Sequence, residues 1–521
     1  MIDLAHDSAE VRRSVAVSAS TQGCARIINI ALNVATTLII IRYLSPSSYG
    51  NYVLVLTISL LVGLLADFGL AKLATREVSR KLESEDEVLG TVLLARICLS
   101  VLCIGLLQLV LFGLRVSPVL HEAGFVASLG YLGNALMVSL VACYVRIKQH
   151  YEAIIQAGME VLETACLVLL VVRRAPFAYL FIPPTLATFV GGIAAVLLVR
   201  RRFGVRLRLA VARIPYLLRE ALPLGPALMI SVCYLKIDAL MLVVLRTRRD
   251  VGLYGSAYQP IEYLFLASAV VINVVFPLVA AAYAVGDRER FMQLYRRCAE
   301  TLVAALVIVP VLLSLIAVPL VNRVYGPAYD EAARPLQLLA VALVLMALSG
   351  WQAFVLLAGG WQRATLLYDL GALGVAIGAC LIFIRPYGIN GAALATLCTA
   401  LFVFISSTVA IRRHFEVHLA LLPITRILGA AASLWATLFV VERLGAPWLV
   451  LIPVALGAYP ALLLAFGVLR PSMLGLRQQG AHAARKSTGT ITLPPVLASN
   501  SDLLRQVDRG TNPLSLESSE A

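Results

Sequence analysis

Long apolar runs alternate with short polar breaks along the whole first nine-tenths of the chain. Runs of about 20 apolar residues have the length of a bilayer-crossing helix. Fourteen such stretches lie near 18–41, 50–71, 89–113, 119–144, 152–172, 177–199, 219–244, 252–284, 299–321, 332–358, 363–384, 388–411, 424–443 and 447–469. The fifth and sixth are parted only by Arg173-Arg174-Ala175-Pro176. The pattern predicts an all-α, polytopic membrane protein of about fourteen transmembrane helices. Fourteen is even, so both termini are expected on one side.

Composition agrees and excludes other classes. Of 521 residues, 60% are hydrophobic and 14% charged, with a mean hydropathy of +0.89. Soluble domains run at roughly 45–50% apolar and 25% charged. A soluble enzyme, a disordered protein and a nucleic-acid binder are excluded. The net charge of +14 has to be read by location, because Lys and Arg collect in cytoplasmic loops. With the termini inside, 28 of the 43 basic residues fall in inside segments and 11 outside. That bias places both termini of a multi-pass membrane protein in the cytoplasm. Arg246, Arg248 and Arg249 form the main external exception. No cleaved signal is read in residues 1–17, which carry Asp3, Asp7 and Glu10 beside Arg12 and Arg13. Residues 470–521, rich in Ser, Gly, Gln, Thr and charge, read as a disordered cytoplasmic tail.

Charges inside a bilayer are costly and usually face a cavity or a partner. Here they are Arg26, Asp67, Lys72, Arg96, Glu160, Glu163, Lys236, Asp238, Glu262 and Asp369. Asp67 and Lys72 stand near a helix end and are expected to reach for the interface. In the first stretch Ser18, Gln22, Arg26, Asn29, Asn33 and Thr36 or Thr37 recur every three or four residues and share one helix face. Such a stripe serves either hydrogen bonding between helices or a water-lined cavity. Tyr254, Tyr258, Glu262 and Asn273 share a face of the eighth stretch, suited to sugar rings, a cation or helix packing. Ser231, Tyr234 and Asp238 share one in the seventh, from which Lys236 points away, so Lys236 and Asp238 each need a partner on another helix. Arg26, Arg96, Glu160 and Asp369 lie at a common depth of about 10–12 Å. That level suits either an anionic head group or an ion-pair network.

Other chemistry is sparse. The nine cysteines sit in or beside apolar stretches without C-x-x-C spacing and read as small hydrophobes. His414 and His418 are four apart with no third ligand near, so no metal site is expected. No G-x-x-x-x-G-K-[ST] appears, so no cofactor or ATP-driven step is expected. No external loop is long enough for a polymerase or ligase, and the chain is not expected to be an enzyme.

Several short motifs recur in order. They are Arg42-Tyr43-Leu44-Ser45-Pro46-Ser47-Ser48-Tyr49-Gly50-Asn51-Tyr52, then Leu65-Ala66-Asp67-Phe68-Gly69-Leu70 and Leu222-Pro223-Leu224-Gly225. Val251-Gly252-Leu253-Tyr254, Tyr325-Gly326-Pro327-Ala328-Tyr329 and Tyr387-Gly388-Ile389-Asn390-Gly391 follow. Together, over about residues 15–470, this series resembles the bacterial polysaccharide-export (O-antigen and exopolysaccharide) flippases of the multidrug/oligosaccharidyl-lipid/polysaccharide exporter superfamily. Tyr49-Gly50-Asn51-Tyr52 also echoes Gly252-Leu253-Tyr254, as two repeated lobes would.

The resemblance implies two six-helix lobes around a central cavity: 18–199 and 219–411, joined by a basic loop at 200–218, with two further helices in 412–469. It implies translocation of undecaprenyl-pyrophosphate-linked oligosaccharide by alternating access. Its partners would be that lipid, the bilayer, and polysaccharide polymerase and export machinery. A multidrug exporter and a lipid-linked peptidoglycan precursor flippase of the same superfamily are the alternatives. Arg26, Asn29, Asn33, Arg96, Lys236, Tyr254 and Tyr258 are the candidate substrate contacts. Asp238, Glu262 and Asp369 are candidates for coupling to a proton or Na⁺.

Overall fold

A computed structural model describes residues 28–80, 85–146, 148–222, 224–417 and 421–468. Arg26, Ser18, Gln22, the N-terminal segment, His418 and the 470–521 tail lie outside the described residues. The described chain is helical. The apolar helices, in order, are α1 Ile28–Tyr43, α2 Pro46–Asp67, α3 Glu85–Gly113, α4 Pro118–Val145, α5 His150–Val172 and α6 Phe177–Phe203. After the linker come α7 Leu224–Leu245, α8 Arg248–Ala284, α9 Arg288–Tyr325 and α10 Pro327–Ala358. Then come α11 (362–387), α12 (389–415), α13 Leu421–Arg443 and α14 Trp448–Ala465. These fourteen match the apolar stretches. α11 and α12 run into one another through Gly388, whose φ of +58° and ψ of −128° break the helix where only glycine turns cheaply.

Local chemistry explains where the helices begin. Ser45 caps α2, accepting from Ser48 N at 3.3 Å, with Pro46 at the first position. Thr247 and Asp250 form a reciprocal capping box that starts α8 at Arg248, four residues before its apolar run. α2 ends at Phe68 and Gly69, both left-handed (φ +44° and +78°), and an amphipathic helix, Leu70–Arg80, follows. A second amphipathic helix, Ile214–Ala221, lies in the linker between α6 and α7.

α2 to α6 pack on one another, as do α7 to α12, and α13 and α14 pack together against α9. α2 crosses from the first group to the second and lies along both α7 and α8. The external arginines are structural: Arg246 donates to Ile384 O (2.8 Å) and Arg385 O (2.5 Å), and Arg249 pairs with Glu331 at 3.0 Å.

Candidate substrate cavities

The groups meet tightly at the ends of α2 and α8. A Cβ placed on Gly50 would stand 1.8 Å from Arg248 O, and one on Gly252 would stand 1.9 Å from Pro46 O. The two contacts are mirror statements of each other, as at a two-fold axis. Glycine is required because backbone meets backbone there. Below this seam a pocket of about 340 Å³ opens between the groups. Asn33, Thr36 and Thr37 enter it from α1, Tyr52 and Thr57 from α2, and Glu163 from α5. α7 and α8 supply Lys236, Asp238, Tyr254, Tyr258, Glu262 and Tyr263.

Hydrogen bonds fix this wall. Tyr263 shares a 2.6 Å bond with Thr37 and donates to Asn33 O at 3.1 Å, tying α8 to α1. Asn33 Nδ2 donates to Asn29 O, and Thr36 bonds Thr164 of α5 at 3.0 Å. Lys236 Nζ stands 2.8 and 2.9 Å from the two Glu262 oxygens and 4.8 Å from the Tyr258 ring centre. Asp238 is buried and accepts from Tyr254 OH, from Thr396 Oγ1 at 2.8 Å and from Ala239 N at 2.7 Å. Lys236 and Asp238 therefore do have separate partners on other helices.

Asp238 and Tyr258 also line a second cavity, of about 230 Å³, within the α7–α12 group. Ser231, Tyr234, Thr365, Asp369 and Thr399 line it too, and Ser231 Oγ donates to Asp369 Oδ2 at 2.5 Å. Asp238 thus stands in the partition between the inter-lobe pocket and a chamber holding a second buried carboxylate. Two such oxygens sets, ringed by hydroxyls, can take up a proton or hold a hard cation.

A third and larger cavity, about 920 Å³, lies within the α2–α6 group. Arg96 enters it almost fully buried, with Nε 3.3 Å from Asp67 Oδ1. The two charges touch, but the N–H is not aimed at the oxygen, so this is an ion pair rather than a hydrogen bond. Asp67 was expected to reach for the interface. The left-handed turn at Phe68 and Gly69 ends α2 there, and Asp67 turns inward to Arg96 instead. Lys72, one turn further on, is exposed at the cavity mouth.

Asn33, Lys236, Asp238, Tyr254, Tyr258 and Glu262 are thus gathered at one pocket, with Asn29 a turn away on α1. Arg96 and Asp369, expected at a common depth, stand in different cavities. Tyr52, Tyr263 and Thr396 are not among the candidate contacts read from the sequence. Thr396 lies five residues beyond the Tyr387–Gly391 motif, with nothing local to mark its hydroxyl. His414 stacks on Trp361 at 3.7 Å.

Two groups of helices, α2 to α6 and α7 to α12, with a pseudo-two-fold seam and cavities within and between them, define a two-lobed membrane-type helical bundle. Solved structures carry the same fold. A lipid II flippase, MurJ, in an inward closed conformation superposes with a TM-score of 0.71 at 12% identity, covering 86% of this chain and 97% of that one. An inward-facing multidrug resistance MATE transporter of the MOP superfamily gives 0.56 at 14% identity, covering 76% and 98%. A MOP superfamily transporter from Pyrococcus furiosus gives 0.53 at 13%, covering 77% and 95%. No curated protein sequence matches. Residues 12–282 match the model of the polysaccharide biosynthesis protein family, and the chain belongs to that family.

Proposed function

We propose that the chain is a flippase that moves an undecaprenyl-pyrophosphate-linked oligosaccharide across the inner membrane for surface or exopolysaccharide assembly. The observation that carries this reading is the polysaccharide biosynthesis match over residues 12–282, on a chain with a two-lobed transporter fold. The inter-lobe pocket supports it. Tyr52, Tyr258 and Tyr263 offer ring faces, and Asn33, Thr36 and Glu163 offer hydrogen-bonding groups, as a sugar requires. Arg96, Lys236 and Arg26 are the cations assigned to the phosphates. Asp238 and Asp369, with Glu262, are assigned to a coupling proton or Na⁺. Both termini are placed in the cytoplasm by the distribution of basic residues, which puts the α2–α8 seam on the periplasmic side. Handover to a polymerase and export machinery follows from the same reading.

Deletion of the gene tests it. Lipid-linked repeat units should accumulate on the inner leaflet while surface polysaccharide is lost. Unchanged polysaccharide with no trapped intermediate would refute the proposal. Accumulation of lipid-linked peptidoglycan precursor would move the substrate to that class.

A further inference from the structure

Two of the sequence motifs, nearly three hundred residues apart, meet each other on the face that carries the seam. The corner between α1 and α2 holds Arg42, in the last turn of α1, and Leu44; the corner between α9 and α10 holds Tyr325, the last residue of α9, and Tyr329, in the first turn of α10. Arg42 reaches out of the first lobe and donates to Val324 O at 2.7 Å and Arg323 O at 3.0 Å. Those are among the last carbonyls of α9, which its own helix leaves unbonded and which carry the negative end of the helix dipole. In return Tyr329, 2% exposed, donates its hydroxyl to Leu44 O at 3.0 Å. Its ring meets Tyr49 edge-on, with centroids 6.4 Å apart. Each turn therefore supplies the other with a missing backbone partner.

The second lobe's equivalent turn does not repeat this. Arg246, between α7 and α8, spends its guanidinium on Ile384 O and Arg385 O of its own lobe. The backbone seam at Gly50 and Gly252 is symmetric, while the side-chain contacts flanking it are not.

We propose that the α1–α2 and α9–α10 turns form a one-sided clasp that holds this face of the transporter shut, and that its release lets the lobes part there. The seam supplies close packing without directional bonds. Arg42 and Tyr329 supply the bonds that must break as a unit, because both act on the same pair of turns. Removing Arg42's two charge-assisted bonds and the Tyr329 bond shifts the open-to-closed ratio of this face toward open by about tenfold or more.

The test measures the lobes rather than transport, so it does not depend on the identity of the cargo. Spin labels are placed on Arg115→Cys in the first lobe and Ala328→Cys in the second, both exposed on this face, in a chain whose nine native cysteines have been replaced. A pair on Arg115→Cys and Arg173→Cys serves as a ruler within the first lobe. In the purified full chain in nanodiscs, the Arg115–Ala328 pair should give one short distance. R42A/Y329F, and independently G50A, should add a longer distance population at least tenfold above the parent, with the ruler unchanged. An Arg115–Ala328 distribution in R42A/Y329F identical to the parent overturns the clasp, whatever G50A does to the seam. Lengthening of the ruler together with the inter-lobe distance overturns it equally, since it marks loosening of a lobe.

Discussion

Lys236 and Glu262 pose the sharpest test of how the inter-lobe pocket works. Lys236 stands nine residues before the end of α7 at Leu245, about 13 Å deep. A lone charge at that depth costs about 2.5–3.5 kcal/mol. Its partner carboxylate is bidentate at 2.8 and 2.9 Å, and the side chains are 17% and 30% exposed. Breaking a well-buried pair costs about 3–5 kcal/mol. Partial exposure to the pocket brings the expectation for Lys236→Met or Glu262→Gln alone to about 2–3 kcal/mol. The double variant removes both charges and should recover most of that loss, because no orphan remains. Thermal unfolding of detergent-purified protein reads the four corners of this cycle. Export of polysaccharide in a deletion strain reads function. If Lys236 serves the anionic head group, the double variant is as stable as the parent and still fails to export. A double variant that is stable and exports at the parental level refutes the role of Lys236 in the cargo site.

Three further outcomes are expected. Arg96→Ala should abolish export while the chain inserts at normal levels, read by immunoblot of membranes beside surface polysaccharide; export at full level removes Arg96 from the site. Asp238→Asn keeps one acceptor oxygen for Tyr254 and Thr396, loses the bond from Ala239 N and should still fold, but flipping in vesicles should stop responding to an imposed proton or Na⁺ gradient. An unaltered response takes Asp238 out of coupling. Arg146→Ala strips the buried Glu85 of its bidentate partner, held at 2.6 and 2.7 Å, and should lower unfolding stability by about 2–3 kcal/mol, with Arg146→Met/Glu85→Gln costing less.

Much of the architecture was legible because lipid imposes one rule on every crossing segment: about 20 apolar residues with the backbone bonded internally. Among the described residues each of the fourteen stretches holds a helix, and the differences lie at their ends. Those ends moved for local reasons that apolarity does not report, such as the Thr247 capping box that starts α8 at Arg248. Helix periodicity also carried over, since Ser231, Tyr234 and Asp238 do line one cavity. Partnerships between helices were not legible. Nothing in the sequence says that Asp67 meets Arg96, or that Lys236 meets Glu262 rather than another carboxylate. Equal depth likewise failed to imply a shared cavity for Arg96 and Asp369. The recurring motifs were misleading in a useful way. Their glycines and tyrosines cluster at turns and at the seam, so they mark how the lobes close rather than what they hold.

That distinction changes how the intramembrane cations are to be understood. Arg96 and Lys236 each already face a carboxylate, at 3.3 and 2.8 Å. A paired cation binds a phosphate only by giving up or sharing its partner, so its contribution is the difference between two ion pairs and is small in the resting state. The same exchange leaves a carboxylate unpaired within the span, and an unpaired charge there is costly. Under the proposed function, cargo binding and ion uptake would be linked by charge balance at Lys236 and Glu262, with no long-range relay needed. In this scheme Lys236→Met/Glu262→Gln should lose cargo binding and the gradient response at once, whereas Asp238→Asn should lose only the second. Loss of the same single function in both would separate the cation from the coupling step.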